Sequence, residues 1–220
     1  IRGTLTSILD FRGAAGDYRN FERTARAAYY FLEEGSKGDR RRVMQTYMLI
    51  ADRITPALND SGTALAEAGA VPQEDADTRI RKHLESYKVM YEGLLSLICA
   101  PVIYAFGIAN SIQDKAFAPD NEGKIGLKTL RVMEGKLAYE ENRLAIGLNS
   151  HVRNAFAHQN FTILDDAQVE LWDRNWGPEI WSLDRLVMLC NQLWVNALGI
   201  TCSLILYDIN NRMLAFQRGW

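Results

Sequence analysis

Two stretches without a single charged residue, 93–113 and 186–207, constrain this chain more than anything else in it. At 1.5 Å per residue each makes a helix of about 30 Å, the thickness of a bilayer's hydrocarbon core. A helix that is apolar all round has two destinations, lipid or the interior of a larger fold. The first stretch holds Pro101, Gly107, Asn110 and Gln113, and the second Asn191, Gln192, Asn196, Thr201 and Ser203. Such groups lack partners in lipid but find backbone, side-chain or water partners inside a helical protein. The expectation is therefore two core helices, no membrane span, and an all-α bundle built around them.

A chain of 220 residues suffices for one substantial core, with or without an appended helical subdomain. Its 25 Lys and Arg against 27 Asp and Glu give a net charge of −2, which argues against a surface coated for nucleic acid. A local basic groove is compatible with that balance. Cys99, Cys190 and Cys202 stand singly within apolar segments, at no metal-ligand spacing, and read as small core residues of a reducing, cytoplasmic protein. No secretory signal is expected, because Arg2, Asp10 and Arg12 interrupt the first apolar residues.

Helical spacing organises the rest. Short helix 5–11 is followed by helix 17–34, with Phe21, Ala25, Ala28, Tyr29 and Leu32 three or four apart, ended by Gly35-Ser36-Lys37-Gly38. Helix 39–58 opens on Arg40-Arg41-Arg42, which reads first as a solvated face. Residues 59–74 are the linker or loop candidate, with a short helix at 64–68 as the alternative. They divide N-terminal helices 1–58 from a helical core 75–220, the two together forming one continuous domain. Helix 75–110 should kink or divide at Pro101. Loop 114–126 leads to helices 127–133 and 135–157. Segments 161–164 and 168–172 alternate as a β-hairpin, 175–181 reads as a turn around Gly177-Pro178, and Ser182 caps a last helix to about residue 210. His83 reads as a surface residue and the late tryptophans, Trp172, Trp176, Trp181 and Trp194, as apolar anchors.

Helix 135–157 ends in His151-Val152-Arg153-Asn154-Ala155-Phe156-Ala157-His158-Gln159-Asn160-Phe161. At about 100° per residue, Leu144, Ala145, Leu148, Val152, Ala155 and Phe156 gather into a core-facing stripe. Arg153, Asn154 and His158 fall outside it, with His151 beside the last two. The polar trio is expected to face solvent or a second subunit. Ala155 and Ala157 keep that side slim.

The string Arg153-Asn154-Ala155-Phe156-Ala157-His158, at a helix end and before a hairpin and a long helix, resembles the signature of the HEPN superfamily. That signature is an arginine, a polar residue, three spacers and a histidine. The resemblance covers about residues 126–207. It implies a helical bundle that dimerises with the two motifs facing each other, often a metal-independent ribonuclease of toxin, phage-defence or RNA-processing systems. Some toxins of the family carry a tyrosine two residues past the histidine, modified by a partner nucleotidyltransferase. Asn160 occupies that position here, which speaks against that mode of control.

The chemistry of the side chains agrees with such a role. Cleavage of RNA by its own 2′-hydroxyl needs a proton removed, a proton supplied to the leaving 5′-oxygen, and charge on phosphate stabilised. Histidine titrates near neutrality, and the arginine fork matches phosphate oxygens. The candidate catalytic residues are Arg153, Asn154 and His158, with His151 and Asn160 as candidate substrate-binding residues. No metal or cofactor is called for. Expected partners are RNA, a second copy of the chain, and an antitoxin or defence-system protein. The alternative is a non-catalytic helical module that binds RNA, a nucleotide or a protein through the same groove.

Overall fold

The computed structural model describes residues 18–112, 118–119, 123–127, 129–130, 134, 143–165, 167–174 and 176–217. The expected helix 5–11 lies outside them, as do most of the loop after residue 112 and most of 131–142. The described elements are α1 (Tyr18–Met48), α2 (Ile54–Ala70), α3 (Ala76–Lys88), a π-helical turn (Val89–Leu95), α4 (Ser96–Ala109), a 3-10 turn (Arg143–Ala145), α5 (Ser150–Ala157), β1 (Phe161–Leu164), β2 (Gln168–Asp173), β3 (Trp176–Ser182) and α6 (Leu183–Gln217). The molecule is mostly helical, with one small antiparallel sheet in the order β1-β2-β3 late in the chain.

The two uncharged stretches become α4 and α6, against which α1 packs. On α4, Leu97, Ile98, Cys99, Ala100, Val102, Ile103 and Ala105 are all buried, so no face of that segment is left for water. By length and composition Ala76–Ala109 and Leu183–Gln217 could each cross a membrane, and 67% and 72% of their most apolar windows lie inside the fold. Two polar groups of α6 find backbone partners there. Asn196 donates through Nδ2 to the Leu144 carbonyl at 2.8 Å, and the Ser203 hydroxyl reaches the Ala25 carbonyl at 2.6 Å.

Several boundaries differ from the sequence reading. Helix α1 does not end at 35–38 but continues to a break at Asp39 (φ −151°, ψ 79°), whose carboxylate caps the next turn by accepting from the Arg42 amide at 3.1 Å. Gly35 serves packing instead of termination. A Cβ there would lie 2.5 Å from the Ala105 carbonyl oxygen, so its absence lets α1 and α4 touch. The expected helix 39–58 stops at Met48, and α2 begins at Ile54 with Pro56 in its first turn, where a proline costs no hydrogen bond. Residues 59–70 belong to α2, which replaces the linker or loop and extends the short-helix alternative at 64–68, with Ser61 and Ala68 buried. Pro101 sits inside an unbroken α4. The irregularity falls earlier, at the π-turn, where the Ser96 hydroxyl bonds the Glu92 carbonyl.

The hairpin is present and gains a third strand where a turn is expected. Strand β3 pairs with β2 through Trp181 on Val169 and Glu179 on Leu171, and the register slips between Leu171 and Asp173. Gly177 and Pro178 occupy that irregular stretch of an edge strand, a position that tolerates a residue without an amide proton. Val169, Leu171 and Trp181 point into the core. Ser182 caps α6 as expected, its hydroxyl accepting from the Arg185 amide at 3.2 Å.

Candidate functional site

Helix 135–157 does not reach the motif as one piece. Gly147, at φ 76°, turns the chain so closely over α6 that a Cβ would lie 2.4 Å from the Leu193 amide nitrogen. Asn149 then starts α5 afresh, its side chain accepting from the amides of His151 and Val152 at 3.1 Å each. The Glu134 carboxylate takes the Ser150 amide at 2.9 and 3.0 Å, placing negative charge where the helix dipole favours it. Tyr87, fully buried on α3, bonds the same corner, donating to the Gly147 carbonyl at 2.8 Å and accepting from the Asn149 amide at 2.7 Å. Leu144, Leu148, Val152 and Ala155 remain buried despite the break.

The other end closes as a Schellman motif. The Asn160 amide donates to the Ala155 carbonyl at 2.7 Å, the Gln159 amide to the Phe156 carbonyl at 3.1 Å, and Gln159 takes the left-handed conformation, φ 57°. His158 is thereby the C-cap residue and is exposed. No described residue hydrogen-bonds its ring. Asn160 acts through its main chain, its carbonyl accepting the Trp172 amide at 3.2 Å and tying the helix to β2.

Between these ends the polar residues form a chain of bonds within the protomer. Arg153 grips Glu92 of the π-turn through Nε at 2.7 Å and Nη2 at 2.6 Å, and its Nη1 donates to the Asn154 side-chain oxygen at 2.7 Å. Asn154 donates in turn to Asp173 Oδ2 at 2.8 Å, an oxygen that His151 Nδ1 approaches at 3.3 Å. The His151 ring stacks on Trp176, centroids 5.2 Å apart. Burial pushes the Asp173 carboxyl up, but hydrogen bonds from Asn154, the Arg174 amide and His151 outweigh it and hold its pKa below the ordinary value. The Arg153 side chain is only 16% exposed. The expectation that the whole trio faces away from the fold is thus corrected: Arg153 and Asn154 face Glu92 and β2, and His158 alone faces outward.

Beside His158 lies a cleft of about 760 Å³. Asp77, Arg81 and Lys88 of α3 line one side, and Phe156, Ala157, Gln159 and the first residues of β1 the other. The Arg81 guanidinium stands 5.6 Å from the centre of the Phe161 ring. Sequence reasoning missed these cations and the anchors Glu92 and Asp173. Residues 77, 81 and 88 do fall on one helical face by spacing, a signal that could have found them. His83, expected at the surface, is 2% exposed and donates from Nδ1 to the Arg79 carbonyl at 2.8 Å, so it is structural.

Cys99 and Cys190 are buried free thiols whose pKa burial pushes up to about 12. Among the described residues, no group of three or more His, Cys, Asp and Glu is placed to hold a metal ion. No family model, curated protein or solved structure matches the chain.

Proposed function

We propose that this chain is a metal-independent endoribonuclease of the toxin or phage-defence type, working as a homodimer in which two copies of the motif meet. The observation that carries the reading is the exposed His158 ring, held by the Schellman turn beside a cleft with two cations. Arg153 and Asn154, fixed by Glu92 and Asp173, occupy the preceding turns of the same helix.

In the proposed reaction the RNA 2′-oxygen attacks the adjacent phosphorus while the bond from phosphorus to the 5′-oxygen breaks. One His158 takes the proton of the 2′-hydroxyl, and His158 of the second copy supplies one to the departing 5′-oxygen. The guanidinium N–H groups of Arg153 not spent on Glu92 and Asn154 stabilise the charge on the pentacoordinate phosphate. Products end in a 2′,3′-cyclic phosphate and a 5′-hydroxyl. Incubating purified protein with labelled RNA and excess chelator, then analysing the ends, tests this directly. Ends carrying 3′-hydroxyl and 5′-phosphate groups would overturn it.

One observation favours a second reading, a non-catalytic module that binds RNA or a protein partner. The Arg153 guanidinium already serves a structural pair with Glu92. Under that reading the same incubation gives a retained RNA complex and no new ends.

A further inference from the structure

We infer that the cleft between α3 and β1 is the track along which single-stranded RNA is led to His158, its backbone held by Arg81 and Lys88. The inference rests on the nuclease reading for its substrate but on separate residues for its evidence. Arg81 and Lys88 are seven positions apart on α3, about 10 Å along one side of the helix, so a polyanion meets both at once. Among the described residues neither has a carboxylate in ion-pair contact, in contrast to Lys82 on the adjoining face, bridged to Glu67 and Glu85. Among the described residues Asp77 is the one carboxylate in the lining, which leaves it one cation in excess on a protein of net charge −2.

The opposite wall sets two half-buried rings, Phe156 and Phe161, among the exposed polar side chains of Gln159 and Thr162. Phe156 and Phe161 pack at 5.8 Å between ring centres, a surface on which bases can rest while phosphates turn toward α3. Both neighbours of His158 in sequence, Ala157 and Gln159, line the cleft. His158 itself is not part of the lining; it stands between these two at the rim, where a strand leaving the cleft would meet its imidazole. An acidic peptide could satisfy the same cations, but only RNA carries the 2′-hydroxyl and phosphodiester on which His158 would act, and RNA that fails to bind decides against the track.

The test uses the full chain carrying His158→Ala, so that binding is read without cutting, and a short fluorescein-labelled single-stranded RNA of mixed sequence. Adding Arg81→Gln and Lys88→Gln should weaken binding at least about tenfold at low salt and lower the slope of log affinity against log salt by about 1.4. The melting temperature should hold within about 2 °C of the parent, each charge being exposed or half-exposed and without an ion-pair partner among the described residues, and the Arg81 contact with the Phe161 ring being a weak one. Unchanged affinity and slope in a folded variant overturn the track. The same pair of substitutions in the native-His158 chain separates the two claims. Cleavage at the native rate with cations removed sinks the track and spares the nuclease. RNA bound through Arg81 and Lys88 but never cut spares the track and sinks the nuclease.

Discussion

Glu92 and Asp173 decide what Arg153 and Asn154 can do. A guanidinium bonded through Nε and Nη2 to one carboxylate has lost its rotamer freedom, and Asn154 between Arg153 and Asp173 cannot turn without breaking a charge-assisted bond. Replacing Glu92 with Ala leaves a mostly buried arginine without its partner. The expected cost is about 1–3 kcal/mol in urea unfolding, accompanied by slower RNA cleavage as Arg153 wanders. A variant as stable and as fast as the native chain would show that the pair matters to neither. The acid-side pH dependence of stability has two residue-scale sources. Burial first, with the nearby Arg79 charge, lowers the pKa of His83 from its ordinary 6.5, against the bond to the Arg79 carbonyl. The unfolded chain then takes up a proton near that pH that the folded chain refuses, so stability is full above it and falls as pH drops below it. Asp173, held below its ordinary 3.8, contributes above that pH and loses its contribution as acid protonates it. The urea midpoint should be flat between about pH 7 and 8, decline toward pH 5, and fall again as pH rises past 9.0, where the unfolded chain ionises the thiols of Cys99 and Cys190 that the fold keeps protonated; His83→Gln should flatten the acid-side decline. A native-sized decline in that variant would remove His83 as the cause.

At the scale of elements, the two ends of α5 set where the motif points. Gln159 holds a left-handed conformation that glycine adopts without strain, so Gln159→Gly should raise stability by about 0.5–1 kcal/mol, read as a higher melting temperature. Gly147→Ala should do the reverse and by more, roughly 2–5 kcal/mol, because its Cβ would run into the backbone of Leu193 at an already unfavourable φ. Equal melting temperatures for both variants and the native chain would show that neither turn constrains the helix. Glycines also mark how far the chain was legible. Amphipathic spacing and uncharged runs placed α4, α6 and the hairpin, because burial of one face or all faces is written in local composition. Gly35 and Gly147 misled in opposite ways: Gly35 has the setting of a terminator and is a contact point, whereas Gly147 has the setting of a mid-helix residue and is a break. What each glycine does depends on a partner, Ala105 or Leu193, far away in sequence. The alternation in 176–182 was hidden by Gly177-Pro178, which an edge strand accommodates.

Across the whole molecule, the sheet and the π-turn act as a mount for one short helix, and the apolar bundle of α1, α4 and α6 as the base of that mount. The six-residue string with its arginine and histidine was visible in the sequence. The division of labour within it was not, since Glu92 lies on an element whose irregular turn has no sequence signature, and Asp173 on a strand end. The central claim is that His158 performs proton transfer, paired with its copy in a second chain. The most direct measurement is the rate of RNA cleavage under chelator for native protein and His158→Ala, across a range of protein concentration. The predicted result is a native rate per chain that climbs as dimers form, and a loss of about 10²–10⁴-fold in the variant with its melting temperature unchanged. Cleavage by a folded His158→Ala chain at the native rate would contradict it.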